Sequence, residues 1–567
     1  MIKYRVSLFI SGLNKDQYLF KKYLLVKRGG IMKTLIKANI KKHKIIYIFI
    51  LISILYMVTT IINPIFSAAL INNLTQKINI PQAYWLVFII LIILIFEQIL
   101  YYIKYYSKMI LTYKLQKEME EQILLNLYKT NYLKLINEDK IYLSQRIHTE
   151  TNLVSNFVFE HLANIITNVL VFLLATIILF QIHPLYALIS VVSIPIYLLL
   201  IYKMKDNVYN AQMLGKESDA KLKSTFNEQI KMIPTVKLNN IWKESLSIFN
   251  NSFQLFINAS KRIFNFMYVF YSIDGYLTAI VQAVFFIYGI KLIYDGEMNI
   301  GEFTMVLSYY SLIMGTVKYF LELSREYINF KTSIDYLDEI LNLEKEIEGS
   351  IVINDINNIS IDKFSFQYDS SEEIHYKECE FENSGLILLK GSNGSGKSTL
   401  IKFMATLYQT DKYAFKINEI PINELNLEVL RKKFISYVEQ EAILWDLSLQ
   451  ENIMLHFKEI DSFNKFEKKI SDMNLFRFYS SSKPFIEDDW TKKASSFSMG
   501  QAKKLSIIIE LLKEKSLILL DEPTAALDIE SCKELIKFLK EYKRKHLIIV
   551  VSHDNLFDNI SDFIKEI

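Results

Sequence analysis

Long uncharged apolar runs recur through the first 330 residues, whereas after residue 350 the apolar stretches shrink to short β-rich runs such as SIVI, SIDKFSFQY and LILLK. About 20 consecutive apolar residues are needed to cross a hydrocarbon core. Six stretches read as spans, at about 45–70, 81–102, 162–180, 185–202, 263–288 and 301–323. The segment KTLIKANIKKHK at 33–44 is basic, which puts the start of the first span on the cytoplasmic side. The connections INNLTQKINI, QIHP and IKLIYDGEMNI are short, carry only Lys77 and Lys291 as strong bases, and read as outer loops. An even number of spans returns both termini to the inside. The two long inner stretches, about 104–161 and 203–262, read as helices that extend the spans into the cytoplasm. Each breaks in its middle, at TNYLKLINED and at KMIPTVKLNN.

After the sixth span, EYINFKTSIDYLDEILNLEKEIEGS stays helical, turns acidic and gains a glycine, so 331–349 reads as a linker. The expected organisation is an extension over 1–32, a helical membrane domain over 33–330, the linker, and an α/β domain over 350–567. That last domain has about 215 residues, within the usual size of one core.

The α/β domain carries the chemistry. LKGSNGSGKSTL at 389–400 follows a strand pattern, precedes the helix pattern LIKFMATLY, and fills every fixed position of G-x-x-x-x-G-K-[ST]. Gly391, Gly394 and Gly396 allow backbone angles and close approach that a side chain forbids. The N–H groups of the loop that holds Ser392, Asn393, Ser395 and Thr399 can then point at phosphate oxygens. Lys397 would reach the β and γ phosphates and Ser398 would offer its hydroxyl to Mg²⁺. The following helix turns its positive end to the same anion. The run SLILLDEPTAALD supplies the other half, an apolar strand ending in Asp521, suited to Mg²⁺, and Glu522, suited to a general base at the γ-phosphate. ATP and Mg²⁺ are the expected ligands.

Composition refines this picture only slightly. Hydrophobic residues make up 51% and charged residues 22%, which fits membrane spans joined to a soluble domain. A net charge of +4 over 567 residues leaves no nucleic-acid footprint. Cys379 and Cys532 lie far apart in sequence, so no disulfide framework or metal spacing is implied. Residues 1–31 hold a short apolar patch, VSLFI, and end in KRGGI; they lack the form of a signal peptide. Two readings stand side by side, an amphipathic N-terminal helix or a segment upstream of a true start at Met32. The second arises because Lys-Arg-Gly-Gly can be encoded by the purine-rich tract that precedes bacterial start codons.

Over nearly all of 33–567 the chain resembles an ABC exporter half-transporter, an α-helical six-span membrane domain plus an α/β P-loop ABC ATPase domain. The resemblance implies further site residues. Tyr368 in FSFQYDS would stack on adenine, and Gln440 in ISYVEQEAILWDLSLQENI would sense Mg²⁺ and water. Asp528 in AALD would be the D-loop residue, and His553 in LIIVVSHD the switch histidine at the γ-phosphate. The family signature, usually Leu-Ser-Gly-Gly-Gln, appears as Phe497, Ser498, Met499, Gly500, Gln501. Ser498, Gly500 and Gln501 would face ATP held by a partner subunit, and Met499 puts a side chain where backbone should approach closely. The two inner breaks resemble coupling helices, and Arg146 in LSQRIHTE matches a family arginine after the first.

Three ionisable residues lie at costly depth: Glu97 in the second span, Asp274 near the middle of the fifth, and Lys318 toward the inner end of the sixth. Glu97 and Asp274 could hold a cationic group of the cargo, or pair with Lys318. The aromatics Tyr268, Phe270, Tyr271, Tyr276, Tyr309 and Tyr310 are expected mostly to face lipid or neighbouring helices. The expected function is ATP-driven export of a small peptide of the bacteriocin type, or of a hydrophobic compound, by ATP-induced dimer closure and alternating access. The expected setting is a bacterial-type plasma membrane, with both termini and the nucleotide-binding domain cytoplasmic. No leader-cleaving protease domain fits before the first span, so another protein would remove any leader. Lipid or multidrug export is the alternative, and an exporter-fold importer or an ATP-gated regulator are rivals. A pure regulator has no need of the base at Glu522. A homodimer is expected, with a heterodimer as alternative because an altered signature often accompanies a retained glutamate in subunits of unequal pairs.

Overall fold

The computed structural model describes residues 30–75, 79–136, 140–368, 373–392, 394–409, 414–481 and 484–567. Residues 1–29, on which both readings of the N-terminus bear, and Asn393 of the glycine-rich loop lie outside the described residues. The chain forms two compact units. One takes the described residues up to Ile123 together with Ser144–Leu341, and the other takes Leu124–Leu143 and Asn342–Ile567.

The first unit is helical: α1 (Ile31–Lys42), α2 (Ile45–Thr75), α3 (Ile80–Leu127), α4 (Lys140–Ile182), α5 (Pro184–Lys231), α6 (Ile233–Asn239), α7 (Trp242–Tyr294) and α8 (Ile300–Leu341), with the inner ends of α3 and α4 passing into the second unit. Among the described residues, α2, α3, α4, α7 and α8 are long and apolar enough to cross a membrane. The fourth expected span falls on α5, whose described apolar stretch is the shorter Pro184–Pro195. Helices α3, α5 and α7 run for 48, 48 and 53 residues. At about 1.5 Å per residue each is more than twice the roughly 30 Å of a hydrocarbon core, so each carries an extension beyond it. The second inner break is α6, with proline in its first turn and Asn240 at φ +54° as a left-handed cap. The stretch 331–341, read from sequence as the start of a linker, is the unbroken end of α8.

Packing in this unit places α5 along α7 and α8 along α2. Tyr186, Phe285, Tyr309 and Tyr310 are fully buried in its core. A buried hydroxyl needs a partner. Tyr309 donates to the Ile61 carbonyl at 2.8 Å and Tyr186 to that of Phe285 at 3.3 Å. Tyr268, Tyr271 and Tyr276 lie exposed on α7, so the two sets of aromatics divide between the outside and the helix contacts. The side chains of Phe270 and Asp274 lie outside the described residues. Helix α1 docks on α8, where buried Met32 donates its N–H to Asp338 Oδ1 at 3.1 Å, a carboxylate at a helix N-terminus.

The second unit has eleven strands among its described residues: β1 (Asn358–Ile361), β2 (Phe364–Phe366), β3 (Ile374–Tyr376), β4 (Cys379–Glu382), β5 (Gly385–Lys390), β6 (Phe415–Ile417), β7 (Ile420–Pro421), β8 (Ile435–Val438), β9 (Leu517–Asp521), β10 (Leu547–Val551) and β11 (Phe563–Glu566). They are joined by α9 (Lys397–Met404), α10 (Leu427–Lys433), α11 (Leu449–Met454), α12 (Phe463–Asp472), α13 (Phe476–Ser480), α14 (Met499–Leu512) and α15 (Ile529–Tyr542). The central sheet has the order β11-β5-β10-β9-β8, with every pair parallel. Parallel strands covered on both faces need continuous apolar sequence, and LILLD and LIIVV of β9 and β10 are buried throughout. One face packs on the antiparallel sheet β4-β1-β6-β7 and α9, the other on α14 and α15.

The first inner break belongs to this unit. Tyr132, Leu133 and Ile136 pack against its core, and the Tyr132 ring stacks on Tyr408 with centroids 6.2 Å apart. Asn131 donates its N–H to the Glu344 carbonyl at 2.9 Å, and Thr130 bridges to Lys345. The tip of the α3–α4 hairpin is thus built into the α/β core.

Gly301 is a close approach of α8 to α2. A Cβ there would lie 2.3 Å from the Ala68 carbonyl oxygen, and the Gly301 N–H donates to Asn72 Oδ1 at 2.7 Å. Gly301→Leu should destabilise the unit by about 1–3 kcal/mol, the usual cost of overpacking. Gly315→Ala, where a Cβ meets nothing within 4 Å, should not. Thermal midpoints of the purified variants check this; equal midpoints would remove the contact from the account.

Candidate nucleotide site

Because β5, β10 and β9 are adjacent and parallel, the loops leaving their C-terminal ends converge at one edge. The loop after β5 is the glycine-rich turn, β9 ends in Asp521 followed by Glu522, and His553 follows β10. An open cleft of about 1190 Å³ lies there, bordered by Tyr368, Gly394, Ser395, Gly396, Lys397, Ser398, Thr399, Gln440, Glu522 and His553. Its size exceeds the roughly 300–1,000 Å³ of ordinary small-molecule sites, as suits a site open on one side.

The turn is locked from within. Gly394 and Gly396 have φ of +86° and +95°, in the region that favours glycine, and a Cβ on Gly396 would lie 2.4 Å from the Tyr376 hydroxyl. That hydroxyl donates to the Gly396 carbonyl at 2.9 Å, and Gly396 caps the start of α9. Lys397 is buried and donates to the carbonyls of Gly391 and Ser392, each at 2.9 Å, curling back over the loop. Burial pushes its pKa down, with Glu522 and Asp521 acting against the shift. Ser395 Oγ is buried without a hydrogen-bond partner among the described residues, an orphan polar atom inside the cradle.

The carboxylates sit beside the turn. Ser398 Oγ donates to Asp521 Oδ1 at 3.0 Å. Burial raises the pKa of Asp521, while the Ser398 hydrogen bond and Lys402, Lys503 and Lys397 pull it down. Glu522 is also raised by burial, and His553 opposes that shift with its Nε2 3.6 Å from Glu522 Oε1. Glu522 has φ +46°, a backbone region costly for a residue with a side chain, and its N–H is held by the Val551 carbonyl at 2.9 Å. Its carboxylate is therefore aimed by a strained turn anchored to β10. Tyr368 is half-buried at the cleft edge, with its hydroxyl 3.0 Å from Thr399 Oγ1.

The signature residues do not line the cleft of their own chain. Ser498 caps α14 in a reciprocal box with Gln501, and Gly500 lies where a Cβ would come within 2.8 Å of the Ala526 carbonyl. Met499 projects outward, 79% exposed. Asp528 caps α15 through Ser531, at 2.9 Å to both its N–H and its hydroxyl. Sequence reasoning missed Tyr376, which locks the turn, and two residues bordering the cleft, Glu373 and His375, because β3 and the residue before it match no motif. It also missed Lys503, a buried lysine reaching the Gln440 loop.

A helical membrane unit and a P-loop ATPase fold in one polypeptide define an ATP-driven membrane transport protein. Residues 46–317 match the ABC transporter transmembrane region and residues 376–525 the ABC transporter family. The chain belongs to the ABC transporters, as an exporter-type half-transporter that spans the membrane several times, binds ATP and couples its hydrolysis to transport. It is 24% identical over 426 residues to a multidrug resistance ABC transporter ATP-binding and permease protein of Lactococcus lactis subsp. cremoris (strain MG1363), covering 72% of this chain and 70% of that one. It is 26% identical over 333 residues to a nisin transport ATP-binding protein of Lactococcus lactis subsp. lactis, covering 56% and 55%. The fold is similar to the structure of a bacterial Atm1-family ABC exporter with ATP bound, with TM-score 0.77, 14% identity and 94% of each chain covered.

Lys397→Ala should weaken ATP binding by about 10- to 100-fold, the worth of a charge-assisted hydrogen bond to phosphate. Titration with a fluorescent ATP analogue checks it, and unchanged affinity would take Lys397 out of the phosphate site.

Proposed function

We propose that the chain exports a small cationic peptide, with lipid or a hydrophobic drug as the second reading, from the cytoplasm across a bacterial-type plasma membrane. The observation that carries the transport step is the α3–α4 tip embedded in the ATPase core through Tyr132 and its neighbours, since any rearrangement there moves two membrane helices. The basic flank at 33–44 and the lysine-poor outer loops support cytoplasmic termini and a cytoplasmic ATPase over 350–567, with the transport domain at 33–330. The nisin and multidrug relatives favour peptide and drug cargoes respectively.

At the nucleotide, Tyr368 stacks on adenine and the turn from Gly391 to Thr399 with Lys397 holds the phosphates. Glu522 orients and deprotonates the attacking water, His553 contacts the γ-phosphate, and Gln440 senses its state. Ser398 and Asp521, already hydrogen-bonded, fit Mg²⁺, which takes one or two protein oxygens and completes its shell with phosphate and water. Bound there, the metal would neutralise phosphate charge; Gln440 is the third residue placed to reach it. The half-transporter form implies a dimer, and we take it to be a homodimer in which Ser498, Gly500 and Gln501 of one copy face the ATP of the other, with Asp528 at the junction. The exposed Met499 can turn aside, which a symmetric pair tolerates.

For cargo, Glu97 is a half-buried carboxylate on α3, and Asp274 lies on α7. Both suit a cationic group, because charge at that depth requires a counter-charge.

Two measurements test the reading. Glu522→Gln should keep ATP binding and lose hydrolysis by roughly 10² to 10⁴-fold, the contribution of a positioned base; hydrolysis at the parental rate would refute that role. In proteoliposomes, cationic peptides should stimulate ATPase activity more than lipids or drugs do. Glu97→Gln and Asp274→Asn should reduce that stimulation more than the basal rate. Stimulation by lipid or drug alone would replace the peptide reading with the second one.

A further inference from the structure

Helix α14 buries two adjacent lysines, Lys503 and Lys504, which are 2% and 3% exposed. A buried ammonium is costly unless its protons are taken up. Lys504 meets that need locally, donating to the Ser481 carbonyl at 2.5 Å and to its hydroxyl at 3.1 Å. Lys503 instead reaches across the sheet edge. Its Nζ donates to the carbonyls of Glu439 at 2.6 Å, Gln440 at 3.0 Å and Asp521 at 3.4 Å. A lysine has three donors, and these three carbonyls use all of them. Glu439 and Gln440 follow β8, whereas Asp521 ends β9, so a single ammonium ties two strand ends to the helix that begins at the signature.

We propose that Lys503 is a positioning residue for ATP hydrolysis: it holds the Gln440 loop and the end of β9 in register, so that Gln440 and Glu522 address the same phosphate. The register extends to Ser498, five residues upstream on the same helix, so a shift of the signature is passed to both sides of the cleft. The charges facing the ammonium are the carboxylates of Asp521 and Glu522 from β9 and of Glu439 from the β8 loop, with Lys402 and Lys397 beside Asp521. Burial pushes the Lys503 pKa down to about 8, and the three carboxylates oppose the shift. The inference rests on ATP hydrolysis and is independent of the cargo.

The test is basal ATPase activity and ATP affinity of the full-length protein in detergent, without cargo. Lys503→Met keeps the stem and loses the donors. It should lower kcat by roughly 10²-fold, the effect of displacing reacting groups by about 1 Å, while ATP affinity changes by less than about threefold. Lys503→Arg keeps charge and donors, so it should recover activity to within about tenfold of the parent. A folded Met variant with parental kcat, or an Arg variant as slow as the Met variant, overturns the proposal. If the Met variant fails to fold, Lys503→Gln, which keeps a short amide donor and loses the charge, takes its place and should lower kcat in the same way while leaving ATP affinity nearly unchanged; parental kcat in that variant overturns the proposal.

Discussion

Parallel pairing of β5, β10 and β9 is the constraint on which the site depends. Neighbouring parallel strands send their following loops to one edge, so a glycine-rich turn, a pair of carboxylates and a histidine distant in sequence become neighbours without any long-range motif. The apolar runs of β9 and β10 are what make this pairing hold, since both faces are buried and no polar residue interrupts either strand before Asp521. The strained turn at Glu522 is supported by the same pairing, through its hydrogen bond to Val551.

Much of this is legible in the sequence because the chemistry leaves few residue choices. A turn that surrounds phosphate with N–H groups needs glycine at fixed places, and an apolar strand ending in Asp-Glu sets two carboxylates where buried sequence rarely tolerates charge. The membrane helices are equally plain from their apolar length. Harder to read are contacts made by ordinary residues far apart in sequence. Tyr132 stacks on Tyr408 with nothing local to announce it, which is why the first inner break can be recognised as a break without its docking place. Lys503 sits in QAKKLSIIIELL, where a lysine ordinarily reads as a solvated turn of helix; only the sheet edge beneath it explains its burial. Acidic residues on α8 look like a change of domain, although the helix runs on to Leu341 and Leu337, Ile340 and Leu341 remain buried.

The two ends of the ATPase unit's chemistry differ in how complete they are within one chain. The cleft gathers Lys397, Ser398, Gln440, Glu522 and His553, whereas Ser498 and Gln501 cap α14 away from it. A helix N-terminus with an exposed start is a donor surface for an anion, and its own cleft does not supply one. This division is the physical reason to look for the second half of each nucleotide site on a partner subunit.

The most direct measurement is complementation between two defective copies. One carries Lys397→Ala, the other Ser498→Arg, and ATPase activity is measured for each alone and for the pair purified together through different tags. If each site joins the cradle of one subunit to the signature of the other, both single preparations are inactive and the mixed dimer, which contains one intact site, regains hydrolysis. A Ser498→Arg protein that hydrolyses ATP alone at the parental rate, or a mixed dimer as inactive as its parts, would contradict the shared site.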